Sequence, residues 1–264
     1  MKTIYHFSGA GNDFVVIDGR EGDVSAFREV PRIEALCQEY KTDGLMILGS
    51  GDAEVDFTME FYNPDGSGGM MCGNGGRCIV AFADYLGIRP SSGGVFLFMA
   101  PDGLHTGEIL ERPEEGLWTV RIKMIDVQGI TPMLGGYFLN TGTRHFVKFV
   151  EDVEQVDVDA EGKALRWKEA FAPIGTNVNF VHVAPDGLHV RTFEKGVEGE
   201  TLACGTGLTA CALVAHHAGV PTATPGAYRL RARQDWLSVN FTPGADEKFT
   251  DVYLTGPARL VEIH

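Results

Sequence analysis

The chain has no run of basic residues. Its 22 Lys and Arg are outnumbered by 36 Asp and Glu, giving a formal net charge of −14. A protein that binds phosphate backbones gathers positive charge on one face. The balance therefore argues against nucleic acid and against anionic membrane as partners. No apolar stretch approaches the ~20 residues that span a bilayer. Residues 1–14 lack a basic segment followed by an apolar core, so no secretory signal is expected there. The cytoplasm is then the default compartment, and the sequon Asn240-Phe241-Thr242 reads as chance. Cysteine is scarce and odd in number: Cys37, Cys72, Cys78, Cys204 and Cys211. That is not a disulfide framework. The spacings within Cys72–Cys78 and Cys204–Cys211 fit no zinc pattern and no histidine clusters with them, so no metal is expected. Gly9-Ala10-Gly11 is not extended into GxGxxG, which leaves a dinucleotide without its fingerprint.

What is present is an ordinary globular composition, 44% hydrophobic and 22% charged in 264 residues. That length can fill one large domain or two of about 130 residues. Strand-like runs dominate. They include Phe14–Asp18, Leu45–Leu48, Val55–Tyr62, Val95–Met99, Leu117–Met124, Phe146–Val150, Asn177–Val183, Leu188–Phe193, Tyr228–Ala232 and Leu237–Phe241. Pro-Asp-Gly triplets at residues 64, 101 and 185 punctuate them. Three helices are predicted: Pro31–Tyr40 with proline in its first turn, Gly75–Leu86 and Gly207–Ala218. Gly87 and Gly219 stand where the last two should stop.

The informative feature is an internal repeat. Cys72-Gly73-Asn74-Gly75 recurs as Cys204-Gly205-Thr206-Gly207, an offset of 132 (204 minus 72). Gly87 and Gly219, Ala83 and Ala215, Phe61 and Phe193, Tyr5 and Tyr137, and the Phe-Val pairs at 14 and 146 keep that register. Several identities at one offset indicate duplication. The expected fold is α+β, with two pseudo-symmetric halves, each a curled, mostly antiparallel sheet around a central helix, and an active site in the cleft between them. Residues 1–124 form the expected first lobe, to which 254–264 returns, and 125–253 form the second.

Each repeat puts a cysteine at a strand-to-helix junction. The first amides of a helix lack internal partners and carry partial positive charge. Such an end binds an anion and favours a thiolate. A lone cysteine in a tight turn reads as packing, and Cys37, Cys78 and Cys211 are read that way. The duplicated Cys-Gly-x-Gly context reverses the reading for Cys72 and Cys204. Two activated thiols with two sets of amides suit removal of an α-proton from an amino acid and its return to the opposite face. One thiol starts as base and the other as acid, while the amides stabilise the carbanionic carboxylate.

Four segments then resemble the diaminopimelate epimerase family: Gly9-Ala10-Gly11-Asn12-Asp13-Phe14; Asn63-Pro64-Asp65-Gly66-Ser67 leading to Met71-Cys72-Gly73-Asn74-Gly75-Gly76-Arg77-Cys78; Asn177-Val178-Asn179-Phe180-Val181; and Gly199-Glu200-Thr201-Leu202-Ala203-Cys204-Gly205-Thr206-Gly207. The resemblance implies a two-lobed epimerase that interconverts LL- and meso-diaminopimelate without pyridoxal phosphate, other cofactor or metal. It also implies a place in lysine and peptidoglycan precursor synthesis, and a homodimer. It makes Cys72 and Cys204 the acid–base pair, with His145 and Glu194 beside them. It makes Asn12, Asn63, Asn177, Thr143 and Lys195 substrate contacts, with Gly73, Asn74, Gly205 and Thr206 at the helix ends.

The chain also departs from the family. Gly142-Thr143-Arg144-His145 stands where Gly-Asn-Pro-His or Gly-Ser-Pro-His is common, Glu194-Lys195 where Glu-Arg is common, and Gly44 where many members have Gln. Lysine cannot reproduce the planar, two-pronged grip of arginine on a carboxylate. A histidine racemase on the same plan therefore stays open. Proline racemases resemble it less, because they carry Cys-Gly-His-Gly at the first site. PhzF-like isomerases lack the paired thiols, and an inactive amino-acid-binding relative would retain the fold alone.

Overall fold

The computed structural model describes residues 2–264. The chain divides into two compact units, one running to Ile122 and taking back Gly256–His264, the other Lys123–Thr255.

The first unit contains β1 (Ile4–Ser8), β2 (Asp13–Asp18), α1 (Val30–Tyr40), β3 (Gly44–Ser50), β4 (Phe57–Tyr62), α2 (Gly73–Tyr85), β5 (Val95–Ala100), β6 (Gly103–Glu114) and β7 (Leu117–Lys123). Neighbours pair in chain order. The β2–β3 and β4–β5 pairs are parallel; β1–β2, β3–β4, β5–β6 and β6–β7 are antiparallel. Residues 256–263 pair with β7 on one side and β1 on the other, so an eight-stranded ring closes and leaves no free edge. Strand β4 shows the cause: Phe57, Met59 and Phe61 are buried and alternate with more exposed residues, the two-residue period of a half-buried strand. Helix α2 is buried from Gly73 through Ala83, as befits a helix enclosed by sheet. Phe82 meets Tyr5 and Phe7 at ring-centroid distances of 4.8 and 5.6 Å. Helix α1 has Pro31 in its first turn and buries Ile33, Leu36 and Cys37 against Val15, Ile17, Leu45 and Ile47.

The second unit repeats the plan. It contains β8 (Val127–Gln128), β9 (Thr131–Met133), β10 (Gly136–Asn140), β11 (Arg144–Phe149), α3 (Val158–Arg166), β12 (Asn177–Ala184), β13 (Gly187–Glu194), β14 (Gly199–Thr201), α4 (Gly205–His217), β15 (Ala227–Arg231), β16 (Trp236–Pro243) and the first part of β17 (Lys248–Ile263). The pairs β9–β10, β10–β11, β12–β13, β15–β16, β16–β17 and β17–β8 are antiparallel, while β11–β12 and β13–β15 are parallel. Segments β8 and β9 are consecutive, so this ring closes as well. Helix α4 lies at residues 205–217 and α2 at 73–85, so both ends keep the 132-residue register. The mostly antiparallel, pseudo-symmetric barrels expected from the repeat are present.

The two central helices begin at Gly73 and Gly205, two residues earlier than their apolar pattern predicts. The apolar pattern cannot register the glycines of the first turn; in the first unit the Cys72 sulfur caps that turn, while Cys204 makes no such side-chain bond. At the other end Gly87 and Gly219 are left-handed, with φ of 75° and 73°. The next amides, of Ile88 and Val220, return to Ala83 O and Ala215 O at 3.0 and 2.9 Å.

Helix α3 packs so closely on β13 that a Cβ at Gly162 would lie 2.4 Å from Phe193 Cβ. Gly→Ala inside an open helix gains about 1 kcal/mol. Gly162→Ala should instead lose about 1–3 kcal/mol through overpacking. The denaturant midpoint of the variant checks this; an increase would contradict the packing.

Candidate functional site

Each unit offers one cysteine as the N-cap of its central helix, and the surroundings of the two differ. Cys72 has extended backbone (φ −104°, ψ 152°), and its Sγ accepts the Gly75 amide at 3.2 Å. The sulfur thus occupies the place of a capping oxygen, held by a first-turn donor. Cys72 is exposed. The segment before it is tethered by the Met71 amide, which donates to Asp102 Oδ1 at 3.1 Å.

Behind Cys72 lies a network the sequence reading did not describe. Arg77 is completely buried. It donates to the carbonyls of Gly73, Gly9 and Pro257 at 3.1, 3.4 and 3.2 Å and to Asn74 Oδ1 at 2.9 Å. Asn74 is 3% exposed, and its Nδ2 donates to Asn12 Oδ1 at 2.6 Å. The Arg77 bond turns the Asn74 amide so that its donor side faces Asn12. Asn12, Gly73 and Asn74 therefore form one assembly at the start of α2. Asn63 stands apart in a turn: its carbonyl accepts the Gly66 amide at 2.9 Å and its Nδ2 donates to Ser67 Oγ at 3.0 Å. These bonds give Asn63 a turn role.

Cys204 is 9% exposed, with extended backbone (φ −120°, ψ 107°). Its Sγ lies 3.5 Å from Thr206 Oγ1. Thr206 Oγ1 in turn lies 3.0 Å from His145 Nε2, which is also 2.9 Å from Thr143 Oγ1. His145 is fully buried on β11, and burial pushes its pKa down to about 3. It is neutral throughout the physiological range. His145 Nδ1 faces Asn179 Nδ2 at 3.1 Å. Thr143, His145 and Thr206, expected around one site, are thus within direct hydrogen-bond reach of one another.

Asn177 ties the same region together. Its Oδ1 accepts the Lys195 amide at 2.7 Å, and its Nδ2 donates to Arg144 O at 2.9 Å and to Thr143 Oγ1 at 3.3 Å. Glu194 ends β13, and its Oε2 accepts from Thr201 Oγ1 at 2.8 Å. Arg144 turns elsewhere. Its guanidinium donates to Phe171 O at 3.1 Å and lies 5.1 Å from the centroid of the Phe138 ring. Cys78 and Cys211 are completely buried inside their helices, and burial raises both thiol pKa values. Among the described residues, no group of three or more His, Cys, Asp or Glu is placed to hold a metal. No helix among them is long and apolar enough to cross a membrane.

This architecture occurs in solved structures. A phenazine biosynthesis protein of the PhzF family from Bacillus anthracis is similar over 100% of this chain and 98% of its own, with TM-score 0.77 and 11% identity. A hydroxyproline epimerase from Agrobacterium vitis is similar over 100% of this chain and 91% of its own, with TM-score 0.65 and 15% identity. At these identities the likeness concerns the fold. The sequence is more specific. The family model described as diaminopimelate epimerase matches residues 4–92 and 137–261. The diaminopimelate epimerase of Chlorobaculum tepidum is 40% identical over 263 residues, covering 96% of this chain and 97% of that one. That of Flavobacterium psychrophilum is 36% identical over 262 residues, covering 98% and 97%. The chain belongs to the diaminopimelate epimerase family.

The buried, neutral His145 has a consequence for stability. Its pKa is lower folded than unfolded, so the unfolded chain binds the extra proton. Its stability is fully present above the ordinary histidine value of about 6.5 and is lost as pH falls toward the folded value, at up to about 1.4 kcal/mol per pH unit. Chemical denaturation of wild type and His145→Gln, compared between about pH 6.5 and 5, should show the steeper fall in wild type. Parallel curves would contradict it.

Proposed function

We infer that the protein epimerises diaminopimelate, interconverting its LL and meso forms in lysine and peptidoglycan precursor synthesis. The carrying observation is that Cys72 and Cys204 cap equivalent helices in the same register of a duplicated fold, in a chain of this family. In the proposed step a cysteine thiolate removes the α-proton and becomes a thiol. The other cysteine, starting as thiol, gives its proton to the opposite face and becomes a thiolate. Reversal of substrate chirality and exchange of the two protonation states occur together, so the enzyme needs no net proton or electron. The amides after each cysteine, from Gly73 and Asn74 and from Gly205 and Thr206, are assigned to the reacting carboxylate, where negative charge grows. Asn12, Asn63, Asn177, Glu194 and Lys195 are assigned to substrate positioning and to the distal amino-acid end. His145 is assigned a place behind Thr206, in keeping with its burial.

Cys72→Ala and Cys204→Ala should each lower turnover by at least about a hundredfold, since a general acid or base contributes roughly 10²–10⁴. Cys78→Ala, which alters a buried packing residue, should stay within a few-fold of wild type. Measuring α-proton exchange into deuterated solvent alongside stereochemical inversion checks both. Full inversion by either of the first two variants would end the two-thiol reading.

Selectivity tests the substrate. A ligand without the distal charged groups leaves buried polar partners unsatisfied, at about 1–3 kcal/mol each. kcat/KM for LL-diaminopimelate should exceed that for histidine, lysine or glutamate by about a hundredfold or more. Equal turnover of histidine would assign the chain to a racemase of another amino acid on this fold.

A further inference from the structure

Asn179 stands in the Asn177–Val181 segment of β12, two residues from Asn177. It is completely buried on β12, and its amide is bonded to β11 on one side and β13 on the other. Its Nδ2 lies 3.1 Å from Phe146 O, which can only accept. That fixes the orientation of the amide. Its Oδ1 then accepts from Thr192 Oγ1 at 2.9 Å, and the second Nδ2 hydrogen points at His145 Nδ1, 3.1 Å away. Nδ1 must accept, so the single proton of the neutral imidazole sits on Nε2. Nε2–H faces Thr206 Oγ1 at 3.0 Å and Thr143 Oγ1 at 2.9 Å. A threonine oxygen that accepts there keeps its own proton to give. Thr206 Oγ1 lies 3.5 Å from Cys204 Sγ.

We propose that Asn179 is a positioning residue that locks His145 as its Nε2–H tautomer, so that donation runs from Asn179 through His145 and Thr206 toward the Cys204 sulfur. The chain of donors favours Cys204 as a thiolate that accepts from Thr206. Cys211, buried within α4, is held in its neutral form by that burial, so it does not compete for this proton. The register supports a dedicated contact. A Cβ at Gly207, the second glycine of the repeat, would lie 2.5 Å from Asn179 Oδ1. The glycine therefore lets α4 settle on the asparagine. The consequence for turnover rests on the epimerase reading; the tautomer does not.

The test begins with wild type labelled with ¹⁵N-histidine, with the His145 signal assigned by its loss in His145→Asn. Long-range ¹H–¹⁵N correlation should show one neutral form, protonated at Nε2, between about pH 5 and 8. An Nδ1–H tautomer or an imidazolium would overturn the proposal. Asn179→Leu removes the donor at similar volume. It should release the tautomer into a mixture and lower the thiolate fraction of Cys204, read from the Cβ shift of ¹³C-cysteine at fixed pH, by about two- to tenfold, the worth of one hydrogen bond. The Cys72 signal should not move. Unchanged tautomer and unchanged Cys204 in a folded variant would overturn the proposal. Should that variant not fold, Thr206→Val serves: Cys204 should lose thiolate by a similar factor, and no loss would overturn the relay. All these readings are made without substrate. An expected tautomer and thiolate in a protein that inverts no amino acid would sink the epimerase reading alone.

Discussion

Four amides at the start of any helix have no partner inside it, and both central helices here offer theirs at a cysteine. The constraint is sharpened by enclosure. A helix wrapped in a closed sheet cannot hand its end groups to water along its length, and α2 is buried for eleven successive residues, Gly73 through Ala83. The polar chemistry of such a fold is therefore concentrated at helix ends. A sulfur placed there meets N–H donors and the positive end of the helix dipole together. The barrels, the borrowed last strand and the glycines after each cysteine all serve to keep that end intact.

Duplication preserved the backbone more faithfully than the side chains. In the first unit Arg77 donates to the carbonyl of Gly73 at 3.1 Å; in the second, Thr209, its counterpart 132 residues on, donates to the carbonyl of Gly205 at 2.9 Å. The same backbone need is met by a buried cation in one half and a hydroxyl in the other. The sulfurs follow suit. Cys72 is exposed and accepts a backbone amide, while Cys204 is buried beside a threonine that in turn meets a neutral histidine. A reaction that runs through mirror-related substrates needs two bases in equivalent backbone positions. It does not need them in identical settings, because the two faces of a bound amino acid are not identical either.

Much of this was legible from residues alone, for physical reasons. Strands such as Phe57–Tyr62 announce themselves by alternation, and the repeat announces itself by rare residues in one register. Helix α3 escaped. Gly162 sits in its middle and lowers its propensity. Its signals are electrostatic instead: Asp157 accepts the Ala160 amide at 3.0 Å, Asp159 and Glu161 occupy the first turn, and Lys163 and Arg166 the last. Arg77 and Asn179 escaped as functional neighbours for a different reason. Each acts through partners distant in sequence, Pro257 for one and Phe146 and Thr192 for the other, and no local spacing encodes such contacts. The motif containing each was visible, while the direction of its hydrogen bonds needed the fold.

The departures from the family pattern gain a sharper meaning from the same contacts. Arg144 spends its guanidinium on Phe171 O and the Phe138 ring, so it serves the interior of the second unit. Thr143 and Lys195 remain. They are joined by one amide, since Asn177 accepts the Lys195 N–H and donates to Arg144 O and Thr143 Oγ1. Both hydrogens of that amide are engaged within the chain, leaving Oδ1 with spare acceptor capacity. The distal amino-acid end of a zwitterion carries an ammonium as well as a carboxylate. An asparagine in this condition can accept from the ammonium and has no hydrogen to give the carboxylate. On the substrate assignment proposed above, the carboxylate falls to Lys195, whose backbone the same asparagine holds, and a lysine acting as a point charge would tolerate a range of approach angles that a paired guanidinium would refuse.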